Sequence, residues 1–215
     1  TLNDAHAGTI TQTVNITVQS VNDAPIANLD SGTTDEDTVI FLDVLAQASD
    51  VDGDNLSITA VTQGQNGLVS IENNQLKYTP QANWSGSDSF SYSISDGQGG
   101  NVTKNVTVVV NSVNDNPVAS LVAAKTNKNN AVILDVVAQA SDVEGDSLNV
   151  VAVTQGLHGL VTIENNQIKY TPQANYYGLD NFNYTLSDGH GGFVTKTLAM
   201  RVNALPQAGL VTANT

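Results

Sequence analysis

Two stretches of this 215-residue chain are near copies of each other, set apart by one constant distance. AQASDV at Ala46–Val51 returns at Ala138–Val143, and AVTQG at Ala60 returns at Ala152. IENNQ at Ile71 returns at Ile163, and KYTPQAN at Lys77 returns at Lys169. Each pair lies 92 positions apart (138 − 46 = 92; 169 − 77 = 92). A constant offset without gaps means two copies of one structural unit. VNDAP at Val21–Pro25 matches VNDNP at Val113–Pro117 at the same offset. Proline cannot donate to a ladder and stiffens the chain, so these segments read as linkers. Repeat one with its linker is expected at 21–112, and repeat two with its linker at 113–204. Residues 1–20 read as the final strand of a preceding repeat, because TITQTVNITVQSVND from Thr9 parallels NVTKNVTVVVNSVND from Asn101. On that reading the chain opens inside a loop, and Ile10, Val14, Ile16 and Val18 form one face of a strand over 9–20 whose parent sandwich is missing. Such a strand would be ordered by pairing with another molecule or by lying along repeat one, the alternative being a frayed tail. Residues 205–215 form a C-terminal extension in which the linker pattern fails, since Leu205–Gly209 carries no acid.

Within each repeat the period is two. Leu56, Ile58 and Ala60 alternate with polar neighbours, as do Phe90, Tyr92 and Ile94, and Val106, Val108 and Val110. Gly and Asn punctuate these runs, and no segment carries a helical stripe. About seven short strands in some 90 residues predict an all-β fold of tandem, immunoglobulin-like antiparallel β-sandwiches. The chain has no Cys, so a secreted domain of this size needs another staple. Its net charge of −14 excludes nucleic acid and anionic lipid surfaces as partners. No apolar run is long enough for membrane insertion as a helix.

The acids are clustered, which points to divalent cations. Asn22–Asp23 and Asn114–Asp115 sit in the linkers. Asp50, Asp52 and Asp54 follow AQAS in repeat one, and Asp142, Glu144 and Asp146 follow it in repeat two. Asp96 and Asp188 precede the last strand. Asp35–Glu36–Asp37 occurs in repeat one only, with Asn127, Lys128 and Asn129 in repeat two. Carboxylates crowded in this way raise one another's pKa unless a cation joins them. Calcium takes six to eight hard oxygen ligands from carboxylates, Asn and backbone carbonyls. Side chains at i and i+2 of an extended segment share a side, so Asp50 and Asp52 can grip one ion together. Asn73–Asn74, Asp54 and Asp146 read instead as ordinary turn residues. An EF-hand loop counted from Asp50 fails, because Asn55 and Val61 stand where Gly and Glu are needed.

VNDNP, the Asp-x-Asp turn, the single Asp before the last strand and the Glu of DEDT together resemble the cadherin repeat. They most resemble the bacterial cadherin-like repeats of large surface adhesins, including those with RTX-type C-termini. TPQANWSGSDSFSYSISDGQGG is similar to the second half of such repeats, and the resemblance covers nearly all of 21–204. It implies calcium at junctions between consecutive sandwiches. The junction between the two repeats would use Glu36, Asn114, Asp115, Asp142, Glu144 and Asp188. The junction above repeat one would use Asn22, Asp23, Asp50, Asp52 and Asp96. The Asp-Arg-Glu motif of cadherins is absent near Gln81–Gly86, with Asp88 and Asp180 as possible compensation, and Glu144 replaces the second Asp of its turn. Repeat two lacks both the acidic triplet and a following Asn-Asp, two losses that would belong to a single site below it.

Trp84, Tyr176 and Tyr177 could form a sugar-stacking platform, but a position inside a block shared by both repeats favours a plug of the core or its edge. His6, His158 and His190 have no matching His in the other repeat and read as surface loop residues. DGQGG and DGHGG occur once per repeat, too sparsely to stack as a calcium β-roll. No nucleophile with a neighbouring His and acid is visible, so no enzyme activity is expected. The expected role is that of calcium-rigidified extender repeats in a secreted or cell-surface adhesin, contacting neighbouring repeats and projecting a distal binding domain. The alternative is that the repeats themselves bind polysaccharide or another adhesin in homophilic cell–cell contact.

Overall fold

The structure is a computed structural model and describes residues 2, 3, 6 and 9–204, so the C-terminal extension lies outside the described residues. The chain divides into unit one, Thr1–Ser112, and unit two, Val113–Thr215. Unit one contains β1 (Leu2–Asn3), β2 (Thr9–Ile10), β3 (Ile26–Ala27), β4 (Ser31–Asp35), β5 (Ile40–Leu42) and β6 (Ala48–Ser49). There follow β7 (Ser57–Val61), β8 (Gly67–Glu72), β9 (Gln75–Pro80), β10 (Gly86–Ser95) and β11 (Asn101–Asn111). Unit two repeats the order with β12 (Val118–Ala119), β13 (Ala123–Asn127), β14 (Val132–Leu134), β15 (Ala140–Ser141) and β16 (Asn149–Val153). It ends with β17 (Gly159–Glu164), β18 (Gln167–Pro172), β19 (Gly178–Ser187) and β20 (Phe193–Asn203), and a short 3₁₀ turn spans Val137–Gln139.

In unit one a four-stranded sheet ordered β4-β11-β10-β7 faces a three-stranded sheet ordered β5-β9-β8, with β3 paired to β6. Unit two has the same arrangement in β13-β20-β19-β16, β14-β18-β17 and β12-β15. The alternation read in the sequence places Phe90, Tyr92 and Ile94 of β10 and Val106, Val108 and Val110 of β11 in the core, together with Val44, Leu76 and Tyr78. The β8–β9 hairpin closes through Asn73 and Asn74, both in the left-handed region at φ 51° and 61°. Asn tolerates that region, and a two-residue loop with both φ positive matches the twist of its strands. Tyr92 donates from its hydroxyl to the Leu29 carbonyl (2.9 Å) and Tyr184 to that of Leu121 (2.8 Å), pinning the start of each unit to its central hairpin.

Two expectations need correction. Ala60 is exposed and Val61 packs on the core, because the β7–β10 register shifts between Ser93 and Ile94. The bulge opposes two residues to one, which reverses every later side chain on β7. The sandwich is also not purely antiparallel, since β4 pairs with β11, and β13 with β20, in parallel. The first strand of each unit crosses from one sheet to the other, and its second half runs along the edge in the direction of the last strand. Of the run 9–20, Thr9–Ile10 forms a strand, and Val14, Ile16 and Val18 are exposed. The β1–β2 pairs Leu2↔Ile10 and Asn3↔Thr9 repeat Ile94↔Val102 and Ser95↔Asn101 shifted by 92.

Asp88 is a framework residue. It is buried at 4% exposure and accepts hydrogen bonds from the backbone N–H groups of Gln65, Asn66 and Ser89 and from the Tyr78 hydroxyl. Asp180 does the same for Leu157, His158, Asn181 and Tyr170. A Cβ on Gly64 would strike the Asp88 carboxylate, so only glycine fits that close approach. Asp88 and Asp180 therefore do not compensate for the missing cadherin acids, because their oxygens are already filled with protein donors. Burial alone would raise the Asp88 carboxyl, but its four donors together hold it below the ordinary aspartate value of 3.8. A depressed folded-state pKa gives stability that is present above that value and lost as the pH falls through it. Asp88→Asn is expected to destabilise unit one by about 1–3 kcal/mol at pH 7. Denaturant titrations at pH 7 and pH 3 should show the gap to the parent protein shrinking in acid.

Candidate metal centre

At the leading end of each unit, where the linker enters, three chain segments converge. The short β3–β6 ladder pairs Ile26 with Ser49, which sets the linker beside the turn that starts at Asp50. The β10–β11 hairpin turns at the same end through Asp96–Gly100. Asn22, Asp23, Asp50, Asp52 and Asp96 are thus brought together in unit one. The β12–β15 ladder and the β19–β20 turn do the same for Asn114, Asp115, Asp142, Glu144 and Asp188 in unit two.

The polar atoms at each end fall into two groups. Each carboxylate oxygen of Asp96 and Asp188 accepts at least one hydrogen bond from the protein. The Asn22 amide donates to Asp96 Oδ2 (2.8 Å), while the N–H groups of Gln98 and Gly100 donate to Oδ1 (2.7 and 3.0 Å). Asn114, His190 and Gly192 donate to Asp188 in the same pattern at 2.8, 2.7 and 3.0 Å. The Asn hydrogen bond is the main cause holding each carboxyl below its ordinary range, with burial opposing it and the loop N–H groups assisting. Both acids therefore act first as clamps that lock the linker to the hairpin turn. Gly100 and Gly192 leave room for them, since a Cβ at either would strike the carboxylate it hugs.

The second group is not saturated. Asp50 Oδ1 accepts from the N–H groups of Asp52 (2.9 Å) and Asp54 (3.4 Å), which shapes the turn. Asp142 Oδ1 accepts from Glu144 (3.1 Å) and Asp146 (3.3 Å). The other oxygen of each, Oδ2, is buried without a hydrogen-bond partner, and so is Asp115 Oδ2. A buried charged oxygen with no donor is unfavourable unless a cation meets it. The linker acid closes the loop through its backbone, as Asp23 N–H donates to Asp52 (2.8 Å) and Asp115 N–H to Glu144 (3.2 Å).

Asp54 and Asp146, expected as turn residues, lie in the same acidic clusters as their neighbours. Carboxylate oxygens of Asp50, Asp52 and Asp54 lie within 4.8 Å of one another, as do those of Asp142, Glu144 and Asp146. Burial first, and then the charges of Asp50, Asp96 and Asp52, raise the Asp54 carboxyl above the ordinary aspartate value. Asn22, Asp52 and Asp54 line an open hollow of about 410 Å³. The signal for Asp54 and Asp146 was present in the spacing, since i, i+2 and i+4 carry acids in both repeats. In unit two the His190 ring nitrogen Nδ1 also lies 2.9 Å from Asp146, so that histidine is tied to the cluster.

Glu36 stands apart from the leading-end group of its own unit. It follows β4 at the trailing end, is buried at 5% exposure, and donates its backbone N–H to the Asn111 carbonyl. Its neighbours have framework roles. Asp37 accepts from Asn83 N–H (3.0 Å) and Asp35 from the Asn111 amide (3.0 Å). In unit two Asn129 accepts from Asn175 N–H (2.7 Å) and Asn127 from the Asn203 amide (3.5 Å), so the Asp-to-Asn changes keep these bonds. Of the triplet, the exchange of Glu36 for Lys128 reverses a charge, whereas the two Asp-to-Asn changes each remove one and keep the framework bond.

The sequence matches the bacterial Ig domain model at residues 22–109 and again at 114–201. No curated protein matches it. Among solved structures it is similar to human CDH23 EC21-23 at 13% identity, covering 85% of this chain and 70% of that one with a TM-score of 0.48. It is similar to human mucin-like protocadherin EC1-2 at 18% identity, covering 84% and 98% with a TM-score of 0.43. A further similarity is to an endo-fucoidan hydrolase of glycoside hydrolase family 107, at 21% identity and a TM-score of 0.37. That match covers 92% of this chain and 31% of the hydrolase. Among the described residues no helix is long and apolar enough to cross a membrane. The repeated sandwich and the two matched segments lead to one conclusion: the chain belongs to the bacterial Ig domain family and carries two tandem copies of that domain.

Proposed function

We propose that the two domains are calcium-rigidified extender repeats of a secreted or cell-surface adhesin, without catalytic activity, that hold a distal binding domain away from the cell. The observation that supports this best is the set of orphaned oxygens on Asp50, Asp115 and Asp142, each beside other acids and each lacking a donor. Hard oxygen ligands without redox or thiol partners suit calcium. Asp50, Asp52, Asp54 and Asp23 would hold the ion in unit one. Asp142, Glu144, Asp146 and Asp115 would hold it in unit two. The bound ion would neutralise the cluster and tie the linker to the turn, adding to the clamps made by Asp96 and Asp188. At a calcium concentration 100 times the dissociation constant, one such site adds about 2.7 kcal/mol of stability.

Calcium is therefore expected to raise the melting temperature and to narrow the range of shapes sampled by the two-domain chain. Thermal melts and small-angle scattering in calcium and in chelator measure both, and identical curves would sink the proposal. Asp115→Ala should abolish ion binding in unit two and leave unit one loaded, which calorimetric titration reads as the loss of one class of sites. Loss of all binding would show that the ligands are divided wrongly. Asp54→Asn makes a test with opposed signs. A raised folded-state pKa contributes stability below the ordinary value that is lost as the pH rises through the folded one, so ionised Asp54 opposes folding at pH 7. The variant should melt higher than the parent in chelator and lower than it in calcium.

A further inference from the structure

We propose that the trailing end of unit two is a binding site for an anionic carbohydrate, a site that unit one does not share. The two units are close copies, so a place where many residues differ together marks a specialised surface. On the outer face of unit two the ladders set Leu179 opposite Arg201 and Arg201 beside Lys125. The equivalent row in unit one is Ser87, Val109 and Thr33. Tyr177 replaces Ser85 just before β19, and Lys128 replaces Glu36 just after β13. His158 and Tyr176, in place of Asn66 and Trp84, stack with centroids 4.2 Å apart and planes 13° from parallel.

The chemistry of the patch is specific. The chain has 7 basic residues and a net charge of −14, yet Lys125, Lys128 and Arg201 gather at this one end. Tyr177 is 64% exposed and Leu179 is 75% exposed. Open hollows of about 450 and 420 Å³ lie on the two sides of Leu179. The first is bordered by Tyr177, Arg201 and Asn203, and the second by Gln155 and His158. Among the described residues Asp180 is the sole acid bordering either hollow, and its oxygens already accept four protein hydrogen bonds. A planar guanidinium reads carboxylate or sulfate by paired hydrogen bonds. An exposed tyrosine ring offers an apolar face with a polar edge, which suits the C–H face of a pyranose. Two open hollows that share Leu179 in their lining suit successive sugar units better than the broad flat contact of a folded acidic partner. Charge complementarity decides for an anionic sugar over a neutral one. None of these residues belongs to the acidic clusters, so the inference is independent of calcium.

The test uses the full chain, in calcium and in chelator, with labelled oligogalacturonate, dextran sulfate oligomers, neutral dextran and poly-glutamate, read by fluorescence anisotropy. At least one anionic sugar is expected to bind tenfold or more tighter than dextran and poly-glutamate, and the uronate and sulfate arms identify the acid group. Arg201→Val, Tyr177→Ser and Leu179→Ser install the residues unit one already carries at those positions, and each should weaken binding roughly tenfold. The triple exchange Ser85→Tyr, Ser87→Leu and Val109→Arg should give unit one a second site, which keeps the test sharp if a unit-two variant folds poorly. Equal binding to poly-glutamate would overturn the proposal in favour of an acidic protein partner. Absence of sugar binding, or binding untouched by the Arg201 and Tyr177 exchanges, would overturn it outright.

Discussion

Each domain hangs on one long antiparallel ladder. In unit one, β10 and β11 pair over ten consecutive residues from Gly86↔Val110 to Ser95↔Asn101. This hairpin is central to the larger sheet, with β7 on one side and β4 on the other. Its inward positions supply half of the core, and its two ends are where everything else attaches. One end carries the glycine-rich turn whose aspartate clamps the linker, and the other receives the crossing first strand and Asp88. At β1–β2 the tip of an equivalent hairpin has the same register, and Val14, Ile16 and Val18 after it are exposed.

The carboxylates of this acidic chain do different work according to how many donors reach them. Asp88, Asp96, Asp180 and Asp188 are buried, and both oxygens of each accept from N–H or hydroxyl groups. They stabilise turns that contain little apolar surface of their own. Asp50, Asp115 and Asp142 each leave a buried oxygen without a donor. These three orphaned oxygens are the ones that the proposed cation would meet. The same division explains why Asp35 and Asp37 can become Asn127 and Asn129, because an amide oxygen serves their framework bonds equally well.

Repetition makes divergence informative. The leading ends of the two units are built alike, down to matching hydrogen bonds from Asn22 and Asn114. The trailing ends are not alike. Unit one ends in acids, and unit two ends in Lys125, Lys128 and Arg201 beside exposed Tyr177 and Leu179. The aromatic pair at Tyr176 and Tyr177 also splits in role. Tyr176 packs partly against the core, as a plug would, while Tyr177 faces outward.

The constant offset of 92, the period-two runs and the paired Asn turns were enough to read two all-β sandwiches and to gather most of the leading-end acids. They sufficed because burial on one face of a pleated strand writes itself directly into alternation, and because a repeat doubles every local signal. What escaped depends on contacts between segments distant in sequence. The bulge that turns Ala60 outward is set by pairing with Ser93 and Ile94, not by β7 itself. The parallel edge of β4 arises because the first strand changes sheets. Spacing showed that Asp50, Asp54, Asp88 and Asp96 are acids. Which are saturated and which are left short was decided only when folding placed donors such as Asn22, Gln65 and Tyr78 beside some oxygens and not others.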